Sequence, residues 1–119
     1  MKIPPYTPSL TNPFKEDFQD VVNYILQSNL ESYDLSFCEA KIDDFQDEVL
    51  GLIDDLVLFP EQGVRDKSSG VRKKPIYRGR YSVRWVVDDT TRVVHLIGLK
   101  DNERPKELRY KHTIESGED

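Results

Sequence analysis

The chain has 119 residues, 37% hydrophobic and 33% charged, with a net charge of −5, which is core enough for one domain and too little for two. No apolar run reaches bilayer-spanning length and the N-terminus lacks the charged-then-hydrophobic pattern of a secretion signal, so the expected location is cytoplasmic, with no membrane partner. A lone cysteine, Cys38, excludes an internal disulfide or a thiolate metal cluster and reads as a small core residue.

The net charge hides a division. Residues 1–62 carry −10, residues 63–112 carry +8 and the last seven carry −3. Such asymmetry points to a polyanion facing the second half, or to an acidic layer and a basic layer neutralising each other inside the fold.

Residues 2–8 hold Pro4, Pro5 and Pro8, which confines any strand there to a sheet edge, where missing amide donors are tolerated. Asn12 before Pro13 is a helix start, with Asn as the cap. Phe14, Phe18, Val21, Val22, Ile25 and Leu26 then form one apolar helical face, with Glu16, Asp17 and Asp20 near its favourable N-terminal end. Residues 28–34 form a polar connection, and Ser36 with Glu39 fits a capping box opening a second helix. Its stripe is Ile42, Phe45, Val49, Leu52, Ile53 and Leu56, and Asp43, Asp44, Asp47, Glu48, Asp54 and Asp55 fill the solvated remainder. Leu58, Phe59 and Pro60 end it, and residues 64–70 read as a polar loop without strand pattern.

Residues 73–99 read as the centre of a sheet. Tyr81, Val83, Trp85 and Val87 alternate onto one face and Ser82, Arg84, Val86 and Asp88 onto the other. Residues 88–91 make a polar break of hairpin length before a strand of Val93, Val94, Leu96, Ile97 and Leu99. Upstream, residues 73–78 make a third strand that turns through Gly79, with Pro75 marking imperfect pairing. The fold class is therefore α+β, a two-helix hairpin on one face of a three- to four-stranded, mainly antiparallel sheet in the order βααβββ. The domain is expected over 1–112, with a fraying acidic tail at 113–119.

Helices at 11–25 and 45–63, the latter leaving through Leu-x-x-Phe-Pro-x-x-Gly, followed by Tyr-x-Val-x-Trp-x-Val-Asp-Asp after a basic loop, together resemble the RelE/ParE superfamily of bacterial toxins. The resemblance implies a RelE-like fold and a toxin neutralised by a cognate antitoxin. It also implies either ribosome-dependent cleavage of mRNA or, in ParE-like members, inhibition of DNA gyrase by protein binding; an inactive homologue is the third alternative, since Ser82 stands where many RelE-like members have arginine. RNA cleavage through a ribose 2′-hydroxyl needs stabilised phosphoryl charge and a proton relay. The resemblance assigns Arg78, Arg80, Arg84 and Arg104 to the first task and Tyr110 to the second, with no metal or organic cofactor. Arg72, Lys73, Lys74 and Tyr77 are the candidate RNA-binding residues around them. His95, mid-strand, reads as a cross-strand polar neighbour, and two histidines without clustered carboxylates give no metal signature.

Overall fold

The computed structural model describes residues 5–103. Its elements run β1 (Thr7–Leu10), α1 (Asn12–Leu30), α2 (Leu35–Leu58), β2 (Val64–Arg65), β3 (Arg72–Ile76), β4 (Tyr81–Asp88) and β5 (Val93–Asp101). The sheet has five strands in the order β1-β5-β4-β3-β2, all neighbours antiparallel except β1 with β5. It is thus larger and more mixed than the three or four strands expected. The proline-bearing segment supplies β1 at one edge, and a two-residue strand forms at Val64 inside the stretch read as a loop.

Both helices start from caps other than those expected. Thr11 caps α1, its hydroxyl accepting from the Phe14 amide at 3.4 Å and donating to the Leu96 carbonyl at 2.7 Å. A threonine bonded to both the helix and β5 displaces Asn12, which becomes the first helical residue, and Pro13 still falls where no donor is needed. For α2 the cap is Asp34, whose Oδ1 accepts from the Phe37 amide at 2.9 Å, so Ser36 lies inside the helix and the capping box does not form. No acid sits in the first turn of α1. Asp17 instead turns to the sheet, its Oδ2 accepting from the Leu99 amide at 2.9 Å. Leu99 lies beyond Leu96, where the pairing with β1 ends. Between them β5 bulges: Arg84 pairs with Gly98 but Trp85 with Leu96, leaving Ile97 as the extra residue. The bulge shifts the alternation, so Val94 and Leu96 before it and Leu99 after it all reach the core.

The core joins Phe14, Val21 and Ile25 of α1, Phe45, Val49, Leu52, Ile53 and Leu56 of α2, and Tyr81, Val83 and Trp85 of β4. Trp85 is fully buried and its indole N–H donates to the Pro60 carbonyl at 2.9 Å, fastening the exit of α2 to the sheet. Gly63, at φ +81°, makes the next step possible, because a Cβ there would sit 2.5 Å from the Lys73 carbonyl oxygen. Cys38 is fully buried in α2. The helices cover one sheet face, and the other face carries the cations taken up next. The expected acidic tail, 113–119, lies outside the described residues.

Candidate functional site

The register of β3 and β4 sorts the basic residues onto two faces. Arg72, Lys74 and Ile76 pair with Trp85, Val83 and Tyr81, so they share the helix-covered face. There Arg72 Nη1 donates to the Glu61 carbonyl at 2.8 Å and Lys74 Nζ to Gln62 Oε1 at 2.6 Å. Both brace the loop leaving α2 instead of projecting toward a ligand. Lys73 and Arg84 face each other on the opposite side, and Lys100, paired across from Ser82, extends the row. All three are exposed, and none makes an ion pair among the described residues. Like charges directly opposite in a sheet repel, so this row carries uncompensated positive potential.

Lys73 and Arg84, with Val64, Asp66 and Val71, line a cleft of about 330 Å³. The Asp66 carboxylate is held below its usual range by the Ser68 amide first, then by the hydroxyls of Ser69 and Ser68. Its oxygens are taken up by the turn at residues 66–70, with bonds of 2.9 to 3.0 Å.

Arg78 and Arg80 belong elsewhere. The turn between β3 and β4 places Tyr77, Arg78 and Gly79 at φ 55°, 60° and 82°, and two such non-glycine residues in succession need outside support. Glu48 of α2 supplies it, accepting from the Tyr77 amide at 2.7 Å, and Asn102 Nδ2 donates to the Gly79 carbonyl at 3.0 Å. Arg78 is exposed beside Lys41, Asp44, Asp47 and Glu48 in a cleft of about 550 Å³. Arg80 is more fully engaged. Its Nε and Nη2 meet the two Asp101 oxygens at 2.9 and 3.1 Å, Nη1 meets Glu103 at 3.3 Å, and the guanidinium lies 5.4 Å from the ring centres of both Tyr24 and Tyr81. The bonds to Asp101 hold Arg80 still more firmly in its charged form.

Tyr77 packs on Tyr81 at 5.9 Å and edge-on to Phe45 at 6.0 Å, which makes it part of the core margin. Burial, then the charges of Asp44 and Glu48, raise its hydroxyl pKa. His95 pairs with Val86 on the uncovered face, beside Ser9 of β1. Arg104 and Tyr110 lie outside the described residues. The candidates thus fall into two described groups, Lys73 with Arg84 on the uncovered face and Arg78 with Arg80 at the helix-side turn. Lys100 joins the first group and went unnoticed in the sequence, although carrying the strand alternation one residue past Leu99 would have found it. Glu48 and Asp101 have no local signal, since each acts on a residue at least 21 positions away.

Among the described residues no carboxylate of α2 forms an ion pair with a cation. Nor does any group of three or more His, Cys, Asp or Glu among them stand ready to hold a metal ion, and none of their helices is long and apolar enough to cross a membrane.

No family model and no curated protein matches the sequence. Among solved structures, a chain of the chromosomal ParDE toxin–antitoxin system from P. aeruginosa aligns with a TM-score of 0.60 at 11% identity, covering 82% of this chain and 97% of that one. A chain of the RelBE2 toxin–antitoxin complex from Mycobacterium tuberculosis aligns at 0.48 and 18% identity, over 82% and 99% of the two chains. The isolated RelE toxin of E. coli aligns at 0.41 and 14% identity, over 93% and 97%. On the ParDE likeness, with two helices covering one side of a mixed sheet, the protein has the RelE/ParE fold.

Proposed function

We propose that the protein is the toxin of a toxin–antitoxin pair, held in check by a cognate antitoxin, and that it acts in the cytoplasm as a ribosome-dependent mRNA endoribonuclease. The observation that carries this reading is the exposed, unpaired opposition of Lys73 and Arg84 on the uncovered sheet face, with Lys100 in line. A row of that kind binds successive phosphates and offers charge where a phosphoryl group gains it. In this reading Arg84 and Arg104 stabilise the phosphate, Lys73 and Lys100 hold the strand, and Tyr110 moves the proton. Arg78 flanks the site, and Arg80 positions the turn that bears it.

Purified protein added to programmed ribosomes should cut the message in the A site, and Arg84→Ala or Lys73→Ala should each weaken RNA binding and flatten its salt dependence. Intact message at protein levels matching the ribosomes overturns the nuclease reading. Growth arrest on induction, relieved by co-expressing a small neighbouring reading frame, tests the toxin reading separately.

The dispersal of Arg78 and Arg80 away from Arg84 favours a second reading, a ParE-like inhibitor of DNA gyrase. A toxin that acts by binding needs no convergent catalytic set. Loss of supercoiling activity with RNA left whole would establish it in place of the first.

A further inference from the structure

Part of the charge division along the chain becomes a division between opposite faces, Lys73, Arg84 and Lys100 on the uncovered sheet and the acids of α2 on the other side, where Lys41 and Arg78 flank Asp47; each face also bears an apolar feature. On the outer surface of α2, Asp43, Asp47, Leu50 and Asp54 follow at helical spacing, all exposed, with Leu50 58% accessible. Glu16 and Asp20 of α1 are exposed as well. On the uncovered sheet face, Val64, 66% accessible, pairs with Lys73 and joins Val71 in the cleft that Lys73 and Arg84 line. The one acid lining that cleft, Asp66, has its oxygens engaged by Ser68 and Ser69. A helix about 10 Å across separates the outer acids from the sheet. The two faces are therefore too far apart to pair with each other directly within one molecule.

We propose that the cationic sheet face of one copy docks the acidic outer face of α2 on a second copy. Leu50, flanked by Asp47 and Asp54, enters the cleft of Val64 and Val71, flanked by Lys73 and Arg84. The contact joins two different surfaces, so a docked pair still presents one free cationic face on one copy and one free acidic face on the other, and growth continues beyond a dimer. A net charge of −5 repels copies at a distance, and the opposed charges attract only in register at short range. The docked state covers the face assigned above to RNA. The inference itself rests on charge and shape, so it stands or falls independently of the nuclease reading.

The test is sedimentation velocity of the full chain, freed of nucleic acid by nuclease, across protein concentration. At about 20 mM salt the weight-average mass should climb past twice 13.9 kDa without a plateau, and at about 1 M salt, where the Debye length is about 3 Å, it should return to monomer. The double variants Asp47→Lys/Asp54→Lys and Lys73→Glu/Arg84→Glu should each stay monomeric at low salt. Mixed in equal amounts they should co-assemble, because the cationic sheet of the first meets the acidic helix of the second. Co-assembly also shows that both variants are folded. A wild-type monomer at low salt, a salt-insensitive dimer, a double variant that associates like wild type, or a mixture that stays apart each overturns the proposal.

Discussion

The carboxylate of Asp101 closes on the guanidinium of Arg80 in a two-pronged contact, Nε to Oδ1 at 2.9 Å and Nη2 to Oδ2 at 3.1 Å, tying the end of β5 to the turn before β4. Asp101 is only 4% accessible, whereas Arg80 keeps a quarter of its side chain in solvent. Removing the guanidinium takes two charged donors from a nearly buried carboxylate that keeps the Glu103 amide, and removing the carboxylate leaves a guanidinium that water and Glu103 still reach. Arg80→Ala should therefore cost more than Asp101→Ala, about 3 against about 2 kcal/mol, with the double variant well below their sum. Urea unfolding of the three variants checks the order and the coupling.

Two glycines with nearly the same backbone separate strain from crowding. Gly63 and Gly79 both sit near φ +80°, but an added Cβ meets the Lys73 carbonyl oxygen at 2.5 Å at the first and nothing within 4 Å at the second. Gly79→Ala should cost about 1 kcal/mol, the left-handed penalty alone, and Gly63→Ala about 2 kcal/mol or more, since backbone must move as well. Thermal melts of the two variants give the comparison.

Trp85 is the only tryptophan, so its emission reports on the core. It should be blue-shifted in the folded protein and move to the red in one transition with urea. Trp85→Phe leaves the buried Pro60 carbonyl without its donor and should cost about 1 to 3 kcal/mol by circular dichroism.

Alkaline pH should destabilise the protein in a defined window. Burial raises the Tyr81 hydroxyl from 10.0 to about 12, and Tyr77 is shifted in the same direction. Above pH 10 the unfolded chain gives up these protons while the folded one keeps them, so stability is complete below that point and falls as pH rises toward 12. A shift of that size corresponds to roughly 2 to 3 kcal/mol. Urea midpoints at pH 8 and pH 11 measure the drop, and Tyr81→Phe should shrink it.

The parts of the molecule that follow from period were legible before any coordinates. The apolar stripes of both helices and the alternation of Tyr81, Val83 and Trp85 depend on neighbours a few residues apart, and each lies where its pattern places it. The caps failed because local rules rank Asn12 and Ser36 well, whereas the choice fell to Thr11 through Leu96, 85 residues on, and to Asp34 by its bond to the Phe37 amide. Strand β2 has two residues and no period to read. The arginines posed a harder problem: alternation assigned Arg84 to the uncovered face, but the partners of Arg80 lie at the far end of another strand. A turn with Tyr77 and Arg78 both left-handed carries no sequence signal beyond Gly79.

The parallel seam between β1 and β5 brings Thr7 beside Val93 and Leu10 beside Leu96. Synthesis proceeds from the N-terminus, so the first strand waits for more than 80 further residues to be translated before its partner exists, and the two helices wait for the layer they cover. The sheet can close only after β5 has been made, as expected for a topology of distant pairings. A chain cut short before Val93 therefore leaves β1 without its partner strand and the helices without a finished sheet to cover.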